Sequence, residues 1–293
     1  MSSEYHPFLQ LSPKAFVPKS SNSEKACFRV FCLGGSTTEF KDSKNIGWPE
    51  RLERLLQARF PNRNIEVYNL GRQWYTIQHT LINYMINLRQ HKPDVIIVMH
   101  AINDLLINAD FSYYSSGPFS DDYRHFLGPL TDLVKKKNLM KTITSFFRNT
   151  WFCAPKSVVL SKEFPGLVPF ERNMKTLISF AKAENVGVIL MTQPHLLKDV
   201  MSPEEDSKLI MVHYEAKGPD KKWHVLTAKA GMEKYNEIAV KTAQDMRVPL
   251  IDLELALPKN LQYFTDEVHY QDRSFDLIAG YISENWPPSF VLK

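Results

Sequence analysis

Five short apolar segments, each rich in β-branched residues, recur along the chain and predict five strands. They cover residues 28–33, 65–70, 95–99, 186–191 and 248–253. None of them alternates strictly between apolar and polar positions, which indicates burial on both faces, as in a parallel sheet covered by helices. The pattern therefore favours a sheet in the interior of the protein.

The segments between these strands carry apolar residues at helical spacing, so strand and helix alternate along the chain. The apolar stripes fall within residues 48–60, 77–88, 174–181, 232–246 and 277–282, and they include Leu55, Met85 and Leu277. This alternation predicts a doubly wound α/β domain with helices on both sides of the sheet and right-handed crossovers. Domains of this class bind ligands beyond the carboxyl ends of their strands, so we expect the functional residues there.

Length and composition fit one globular domain. The chain has 293 residues, of which 44% are hydrophobic and 23% are charged, and these values argue against a disordered, collagen-like or coiled-coil protein. We expect an N-terminal extension over residues 1–27 and a single domain over residues 28–293, with insertions at about 105–169 and 195–229. The net charge of +4 is too small to indicate a nucleic-acid partner.

The cysteines and the chain start add two expectations. Cys27, Cys32 and Cys153 are an odd number without a Cys-x-x-Cys pair, which indicates neither a disulfide framework nor a zinc knuckle. The first thirty residues lack the apolar core of a signal peptide, and no run of 18 apolar residues occurs. We expect these residues to form a soluble protein. The sequence fits a cytoplasmic protein, or an exported protein whose anchor lies outside these residues.

Residues suited to nucleophilic catalysis follow the predicted strands. They are Ser36 after the first strand, Gly71 after the second, Asn103 after the third, and Asp266 with His269 between the fifth strand and the last helix. A serine hydroxyl needs a base to become a good nucleophile; His269 can act as that base while Asp266 holds its ring. The backbone N–H groups of Ser36 and Gly71 and the side-chain amide of Asn103 are suited to stabilise an oxyanion.

This constellation resembles the SGNH hydrolases, also called the GDSL esterase/lipase superfamily, whose four sequence blocks contribute a serine, a glycine, an asparagine and a histidine. The four fall here on Ser36, Gly71, Asn103 and His269, and the resemblance extends over residues 28–282. The opening run 34–38, Gly-Gly-Ser-Thr-Thr, looks like the subgroup that begins with Gly-Gly-Ser-Thr. The family implies a flavodoxin-like, three-layer α/β/α fold with a five-stranded parallel sheet. It also implies carboxylester hydrolysis through an acyl-serine intermediate, without a metal or organic cofactor.

The chain departs from the family pattern at two places. The third block of the family usually reads Gly-x-Asn-Asp, whereas Ala101 takes the place of the glycine here. After the histidine the family often has a glycine near the start of the last helix, and residues 270–274 contain none. Both departures are mild, and the first of them bears on how Asn103 is placed.

Four more residues lie beside these blocks and are expected to contribute to substrate binding. They are Gly35, Thr37, Asp104 and Gln193. A structural role competes with this expectation at two of them, because Asp104 also suits hydrogen bonding to loop backbone and Gln193 precedes a proline that suits a turn. The sequence leaves both interpretations open.

A metal site is an alternative to the serine chemistry. His79, His100 and His195 lie near predicted strand ends or helix starts, and a metal-dependent hydrolase would use His100, Asp104 and His269. No His-x-x-x-His or His-Glu-x-x-His spacing accompanies them, so hydrogen-bonded structural histidines are the simpler interpretation.

The long insertion is where we expect substrate choice to reside, because loops beyond strand ends vary while the scaffold fixes the chemistry. Its aromatic residues suit stacking on a sugar ring, enclosing an acyl chain, or packing against the domain; they are Phe111, Tyr113, Tyr114, Phe119, Tyr123 and Phe126. Residues 133–148 mix basic and apolar positions. That stretch fits a lid helix, or a peripheral contact with an anionic membrane.

The sequence therefore predicts a serine esterase that acts on short acyl groups, such as O-acetyl groups on carbohydrate or small molecules. The enzymatic alternatives with the same residues are a lysophospholipase or thioesterase and an acyltransferase. An alternative of another class is a catalytically silent module that binds a carbohydrate or a partner. The substrate expectation rests on family analogy alone.

Overall fold

The structure is a computed structural model and describes residues 5–6, 9–19, 27–107, 157–159, 164, 166–210, 212 and 221–290. Its strands in these ranges are β1 (Tyr5–His6), β2 (Gln10–Leu11), β3 (Cys27–Gly34), β4 (Asn64–Asn69), β5 (Val95–Met99), β6 (Ser157–Val159), β7 (Gly187–Met191), β8 (Lys221–Trp223) and β9 (Leu250–Ile251). β1 pairs with β2, and β6 pairs with β8, in two small sheets.

The main sheet has five strands in the order β4-β3-β5-β7-β9, and every neighbouring pair is parallel. Among these five strands β3 comes first along the chain, but it lies inside the sheet, with β4 on one side and β5 on the other. This strand order is that of a flavodoxin-like doubly wound fold. The five predicted strands are confirmed in position, although β9 is shorter than the predicted 248–253.

Helices cover both faces of this sheet. In the described ranges the helices are α1 (Ser36–Glu39), α2 (Trp48–Arg59), α3 (Ile77–Asn83), α4 (Ile102–Ile107), α5 (Leu167–Ala183), α6 (Pro203–Lys208), α7 (Val225–Met246) and α8 (Asp272–Glu284). α3 continues through a π-helical turn, Tyr84–Leu88, and a 3₁₀ turn, Arg89–His91. Two further 3₁₀ turns are Leu253–Ala256 and Pro288–Phe290. α2 and α8 pack together on one face, and α3, α5 and α7 pack on the other.

The core lies between these layers, and the predicted apolar stripes prove wider than the faces that the helices bury. Leu52 and Leu56 of α2 are fully buried, whereas Leu55 is 40% exposed because it projects from the edge of the same stripe. Met85 and Leu277 are likewise 39% and 43% exposed. These three residues therefore lie on the apolar stripes but outside the faces that the helices bury.

Part of the predicted N-terminal extension packs against the edge of the main sheet. Phe16 lies against Tyr68 of β4, with ring centroids 4.7 Å apart, and the backbone N–H of Lys19 donates to the Tyr68 hydroxyl at 3.1 Å. The hydroxyl of Tyr75 donates to the carbonyl of Leu11 at 2.7 Å. Residues 9–19 thus cover the edge strand β4 and support the loop that carries Tyr75.

Several expectations concern residues outside this description. Residues 108–156 lie outside the described residues, and with them the aromatic cluster, the basic stretch 133–148 and Cys153. Cys27 and Cys32 are free thiols in β3. Among the helices that the structure describes, none combines the length and the apolar composition needed to cross a bilayer.

Candidate active site

Ser36 lies where the first strand of the main sheet turns into a short helix. β3 ends at Gly34, Gly35 is the N-cap of α1, and Ser36 is the first residue of that helix. The N–H groups of Thr38 and Glu39 both donate to the carbonyl of Gly35. The N–H of Ser36 precedes these bonds and is one of the helix-start donors that have no partner within the helix. Ser36 therefore presents a hydroxyl and a backbone donor at the carboxyl end of the sheet.

His269 and Asp266 approach this serine from the loop before α8. The Nε2 atom of His269 is 2.7 Å from Oγ of Ser36, and its Nδ1 atom is 2.7 Å from Oδ2 of Asp266. The ring of Phe40 stacks on the His269 ring, with centroids 4.9 Å apart and planes 20° apart. The imidazole is thus fixed by a carboxylate at one nitrogen, a hydroxyl at the other and an aromatic ring on one face.

The carboxylate of Asp266 is itself held in place. Its Oδ1 atom accepts the backbone N–H groups of Val268 and His269, at 2.9 and 2.8 Å. Burial pushes the pKa of Asp266 upward, but the hydrogen bonds and the charge of His269 outweigh it, so the pKa lies below its ordinary value. Asp266 is therefore ionised at neutral pH, and its other oxygen faces the imidazole.

Asn103 is the second residue of α4, which follows β5, the neighbour of β3 in the sheet. Its side-chain nitrogen donates to the carbonyl of Tyr75 at 3.0 Å. An amide nitrogen has two hydrogens, so one remains to donate into the cavity beside Ser36 that Asn103 also lines. Ala101, the departure from the family pattern, is buried just before this helix.

Two glycines allow these parts to approach closely. A Cβ atom on Gly35 would lie 2.6 Å from the side-chain nitrogen of Asn103. A Cβ atom on Gly71 would lie 2.7 Å from Cβ of Thr38 and 2.8 Å from the backbone nitrogen of Glu39. All three distances are shorter than any ordinary contact, so a side chain at either position would displace α1 or Asn103.

The remaining residues expected to bind substrate lie behind the wall of this site. Gln193 accepts the N–H of Ile102 at 3.0 Å and donates to the hydroxyl of Thr37 at 3.3 Å. Asp104 is completely buried and accepts the N–H of Ile77, the first residue of α3, at 3.1 Å. Among the described residues that line the cavity, Gly35, Thr37, Asp104 and Gln193 do not occur. Gln193 and Thr37 join α1 to α4, and Asp104 joins α4 to α3.

The three histidines considered for a metal site, His79, His100 and His195, make internal hydrogen bonds. Nε2 of His100 is 2.8 Å from the Thr80 hydroxyl, Nδ1 of His79 is 2.7 Å from the hydroxyl of Thr76, and Nε2 of His195 is 2.9 Å from a Glu254 oxygen. Burial lowers the pKa of His100 to about 3, so this ring is neutral. In the described part of the chain, no three histidine, cysteine, aspartate or glutamate side chains form a group that could hold a metal ion.

A cavity of about 220 Å³ opens beside Ser36. Its described lining residues are Ser36, Phe40, Gln73, Trp74, Asn103, Ile210, Asp266 and His269. Phe40, Gln73, Trp74 and Ile210 were not among the predicted site residues. The first three follow the serine and glycine blocks within four residues, so their position along the chain was an available signal. Nothing in the sequence around Ile210 indicates that it reaches the site.

Glu267 explains how Ile210 is held beside the cavity. The Glu267 side chain is buried, and its two oxygens accept the N–H groups of Ile210 and Val212 at 2.9 and 2.7 Å. Burial raises the pKa of this carboxyl. One loop thus contributes Asp266 and His269 to the relay and, through Glu267 between them, fixes one wall of the cavity.

Comparisons with known proteins agree with this architecture. The model of the GDSL-like lipase/acylhydrolase family matches residues 32–274. An acetylxylan esterase from Geobacillus stearothermophilus is similar in structure, with 15% identity, a TM-score of 0.53, and coverage of 88% of this chain and 93% of the other.

Two other solved structures are similar to the same degree. A lipase/acylhydrolase from Enterococcus faecalis has 14% identity, a TM-score of 0.51, and coverage of 88% and 94%. An alpha/beta hydrolase from the metagenome of Lake Arreo, Spain, has 16% identity, a TM-score of 0.52, and the same coverage. No curated protein sequence matches the chain.

Proposed function

The chain belongs to the GDSL-like lipase/acylhydrolase family and is a carboxylester hydrolase, and we propose that Ser36, His269 and Asp266 carry out the hydrolysis. The single observation that carries this proposal is the continuous relay from Oγ of Ser36 to His269 and on to Asp266, with both contacts at 2.7 Å. Hydrogen-bond reach between nucleophile, base and orienting carboxylate is the geometry that this chemistry needs.

In the first half of the reaction, Oγ of Ser36 attacks the ester carbonyl carbon while Nε2 of His269 takes the hydroxyl proton. The carbonyl oxygen becomes an oxyanion, which the N–H groups of Ser36 and Gly71 and the amide of Asn103 stabilise. His269 then gives its proton to the alcohol oxygen as the bond from carbon to that oxygen breaks. The alcohol leaves, and the acyl group remains on Ser36.

In the second half, water replaces the alcohol. His269 takes a proton from the water, whose oxygen attacks the acyl carbon, and the second oxyanion uses the same three donors. The proton returns to Oγ of Ser36 as the acid leaves. Asp266 stays ionised throughout and stabilises the imidazolium, which agrees with its low pKa.

We propose a short acyl group as the substrate class. The cavity beside Ser36, at about 220 Å³, is smaller than the roughly 300–1,000 Å³ typical of sites for drug-sized ligands. Similarity to an acetylxylan esterase supports the same choice. Acetyl esters of carbohydrate or small molecules are therefore the first substrates to try.

Labelling with a fluorophosphonate tests the nucleophile. We expect intact mass spectrometry to find one adduct on the wild-type chain and none on Ser36→Ala, because only an activated serine displaces fluoride at an appreciable rate. Ser207→Ala is the matched control and should label like the wild type, since among the described residues the Ser207 hydroxyl bonds only to a backbone carbonyl in α6. An adduct that survives in Ser36→Ala would contradict the proposed role of this serine.

Hydrolysis of esters of different chain lengths by the same protein preparation tests the acyl preference. p-Nitrophenyl esters from two to twelve carbons should give the highest kcat/KM at two to four carbons, and the activity should persist in EDTA. A maximum at eight carbons or more would favour a lysophospholipase or thioesterase instead. Labelling without hydrolysis of any ester would favour an acyltransferase. If neither labelling nor hydrolysis occurs, the catalytically silent binding module is favoured.

A further inference from the structure

The turn after Gly71 holds an exposed tryptophan in an unfavourable backbone conformation. The N–H of Tyr75 donates to the carbonyl of Arg72 at 3.0 Å, which makes residues 72–75 a β-turn. Trp74 is the third residue of this turn and has a φ of 65°. Positive φ at this position but not at the preceding Gln73 is the pattern of a type II turn, where glycine or asparagine is expected at the third residue. A bulky residue there is a genuine outlier.

The other described non-glycine residues with positive φ have ordinary explanations. Asn45 and Asn185 are asparagines, which tolerate this region. Lys92 and Arg247 are the C-cap residues of a 3₁₀ turn and of α7, where the left-handed conformation is common. Trp74 has neither explanation, and its side chain is 45% exposed at the cavity beside Ser36. Strain of this kind that persists at a reactive site points to a function for the side chain.

A second depression adjoins the active-site cavity on the side of this turn. It measures about 410 Å³, and its described lining residues are Glu39, Phe40, Lys41, Asp42, Asn45 and Gln73. Phe40 and Gln73 line both spaces, so the polar groove continues from the cavity. The side-chain amide of Gln73 makes no hydrogen bond to another described residue, although its backbone N–H bonds to Glu39.

The charges of this groove are paired with neighbouring side chains. The pairs are Glu39 with Arg72 at 2.9 Å, Lys41 with Glu50 at 2.8 Å, and Asp42 with Arg51. Groups that already neutralise one another offer hydrogen bonds without a net charge. The groove therefore suits a neutral ligand with many hydroxyl groups better than an ionic one.

The position of His269 tells which part of the ester enters the groove. The leaving alcohol must take its proton from Nε2 of His269, so the alcohol lies on the histidine side of Ser36. Phe40 stacks on His269 and also lines the groove. The alcohol portion of the substrate is thus directed past Phe40 into the groove, where it meets Gln73, while Trp74 lines the cavity from which the groove continues.

We propose that Trp74, Gln73 and the polar groove form a subsite for a pyranose ring that carries the ester in its alcohol portion. The indole of Trp74 would cover the apolar C–H face of the sugar, while the Gln73 amide and the groove bond to its hydroxyl groups. This inference rests on the proposed function, because it needs the acyl transfer to occur at Ser36.

Two acetate esters with different alcohols test the subsite. One is a mono-O-acetylated methyl xyloside and the other is ethyl acetate, whose alcohol has no ring, and both are followed by acid release in a pH-stat. In the wild type we expect the higher kcat/KM for the acetylated sugar. Trp74→Gly removes the ring and relieves the turn, and it should lower the ratio of the two kcat/KM values about tenfold, as expected for loss of an aromatic contact.

Further variants make the result specific. Trp74→Phe keeps an aromatic face and should restore part of the ratio. Trp74→Asn, which also suits positive φ, replaces the glycine variant if that one folds poorly. Arg247→Gly relieves the same backbone conformation at the end of α7, far along the chain from the turn, and it should leave the ratio as in the wild type.

The outcomes separate this inference from the proposed function. A wild-type enzyme that hydrolyses ethyl acetate but does not prefer the acetylated sugar overturns the subsite alone. A ratio that is the same in Trp74→Gly and the wild type also overturns it. Failure to hydrolyse either ester, together with no fluorophosphonate adduct, overturns the proposed function itself.

Discussion

At the scale of single residues, Asn103 shows how a donor can be oriented before any substrate arrives. One hydrogen of its side-chain amide is used by the carbonyl of Tyr75, which fixes the plane of the amide. Because both hydrogens lie in the amide plane, the second N–H also has a fixed direction and does not have to rotate to find a partner. Donors that need no reorganisation are worth most to an oxyanion in a partly buried site.

We expect Asn103→Ala to lower kcat for p-nitrophenyl acetate by about a hundred- to a thousandfold, which is the usual effect of losing one oxyanion donor. Steady-state kinetics on the purified variant measures this loss. Asn285→Ala is a matched control, because within the described part of the chain the side-chain amide of Asn285 bonds only to the carbonyl of Tyr281, near the end of α8. Full activity in Asn103→Ala would remove this residue from the mechanism.

The residues that could be predicted from the sequence are those whose chemistry is scarce. A serine, an aspartate and a histidine in the right order beside strand ends have few other purposes, so Ser36, Asp266 and His269 could be singled out. Ile210 could not, because an apolar residue in a loop is ordinary, and only the fold brings it to the cavity. The φ of Trp74 likewise depends on the turn that forms around it.

At the scale of elements, the site depends on how α1 and α4 are joined. α1 carries Ser36 after β3, and α4 carries Asn103 after the neighbouring strand β5. Gln193, which follows β7, bonds to Thr37 of α1 with its nitrogen and to Ile102 of α4 with its oxygen. Its backbone N–H in turn donates to the Asn236 side chain at 2.8 Å, which ties the arrangement to α7.

Gln193 is therefore a positioning residue, and its loss should lower both the stability of the fold and the turnover. Gln193→Leu leaves the buried N–H of Ile102 without its acceptor, which should lower the free energy of unfolding by about 1–3 kcal/mol. Small displacements of reacting groups are costly, so kcat should fall about ten- to a hundredfold as well. Urea unfolding and kinetics with p-nitrophenyl acetate measure the two effects.

A second glutamine serves as the control for this variant. Gln57 also bridges two backbone groups, since it donates to the carbonyl of Arg63 and accepts the N–H of Ile65. Gln57 lies in α2, outside the described lining of the cavity. Gln57→Leu should lower stability without lowering kcat, and equal kcat losses in the two variants would mean that Gln193 has no special role.

The elements themselves could be predicted because their patterns are local. Apolar runs and helical spacing place the five main strands and the long helices, since burial of these faces dominates the free energy of folding. The exact face of a helix could not be predicted: Leu55 fits the stripe of α2 and yet faces solvent. The ties made by Gln193 and Glu267 join segments that are far apart in sequence, and such pairs leave no periodic signal.

At the scale of the whole molecule, the fold brings together groups from both ends of the chain. Ser36 follows the first strand of the main sheet, whereas Asp266 and His269 follow the last one. The sheet order β4-β3-β5-β7-β9 sets the strands that precede Ser36 and Asn103 side by side. A ligand site at this edge is what the topology of doubly wound sheets predicts, so the location of the site was within reach of sequence reasoning.

His100, a buried histidine three residues before Asn103, makes the stability of the fold depend on pH. Burial lowers the pKa of His100 to about 3, from about 6.5 in an unfolded chain. Between these two values the unfolded state binds a proton at this ring and the folded state does not. The contribution of the neutral ring to stability is thus complete above about pH 6.5 and is lost as the pH falls toward 3.

Below pH 6.5 we expect His100 to add up to about 1.4 kcal/mol per pH unit to the fall in the free energy of unfolding, the slope that corresponds to one proton bound on unfolding. His100→Gln removes the titration and keeps a group able to bond to the Thr80 hydroxyl, so its free energy of unfolding should change less between pH 6.5 and 4.5. Urea unfolding at several pH values measures both slopes. Equal slopes in the wild type and His100→Gln would mean that the ring takes up its proton within the folded state, for which Asp104, 3.9 Å away, is the nearest counter-charge.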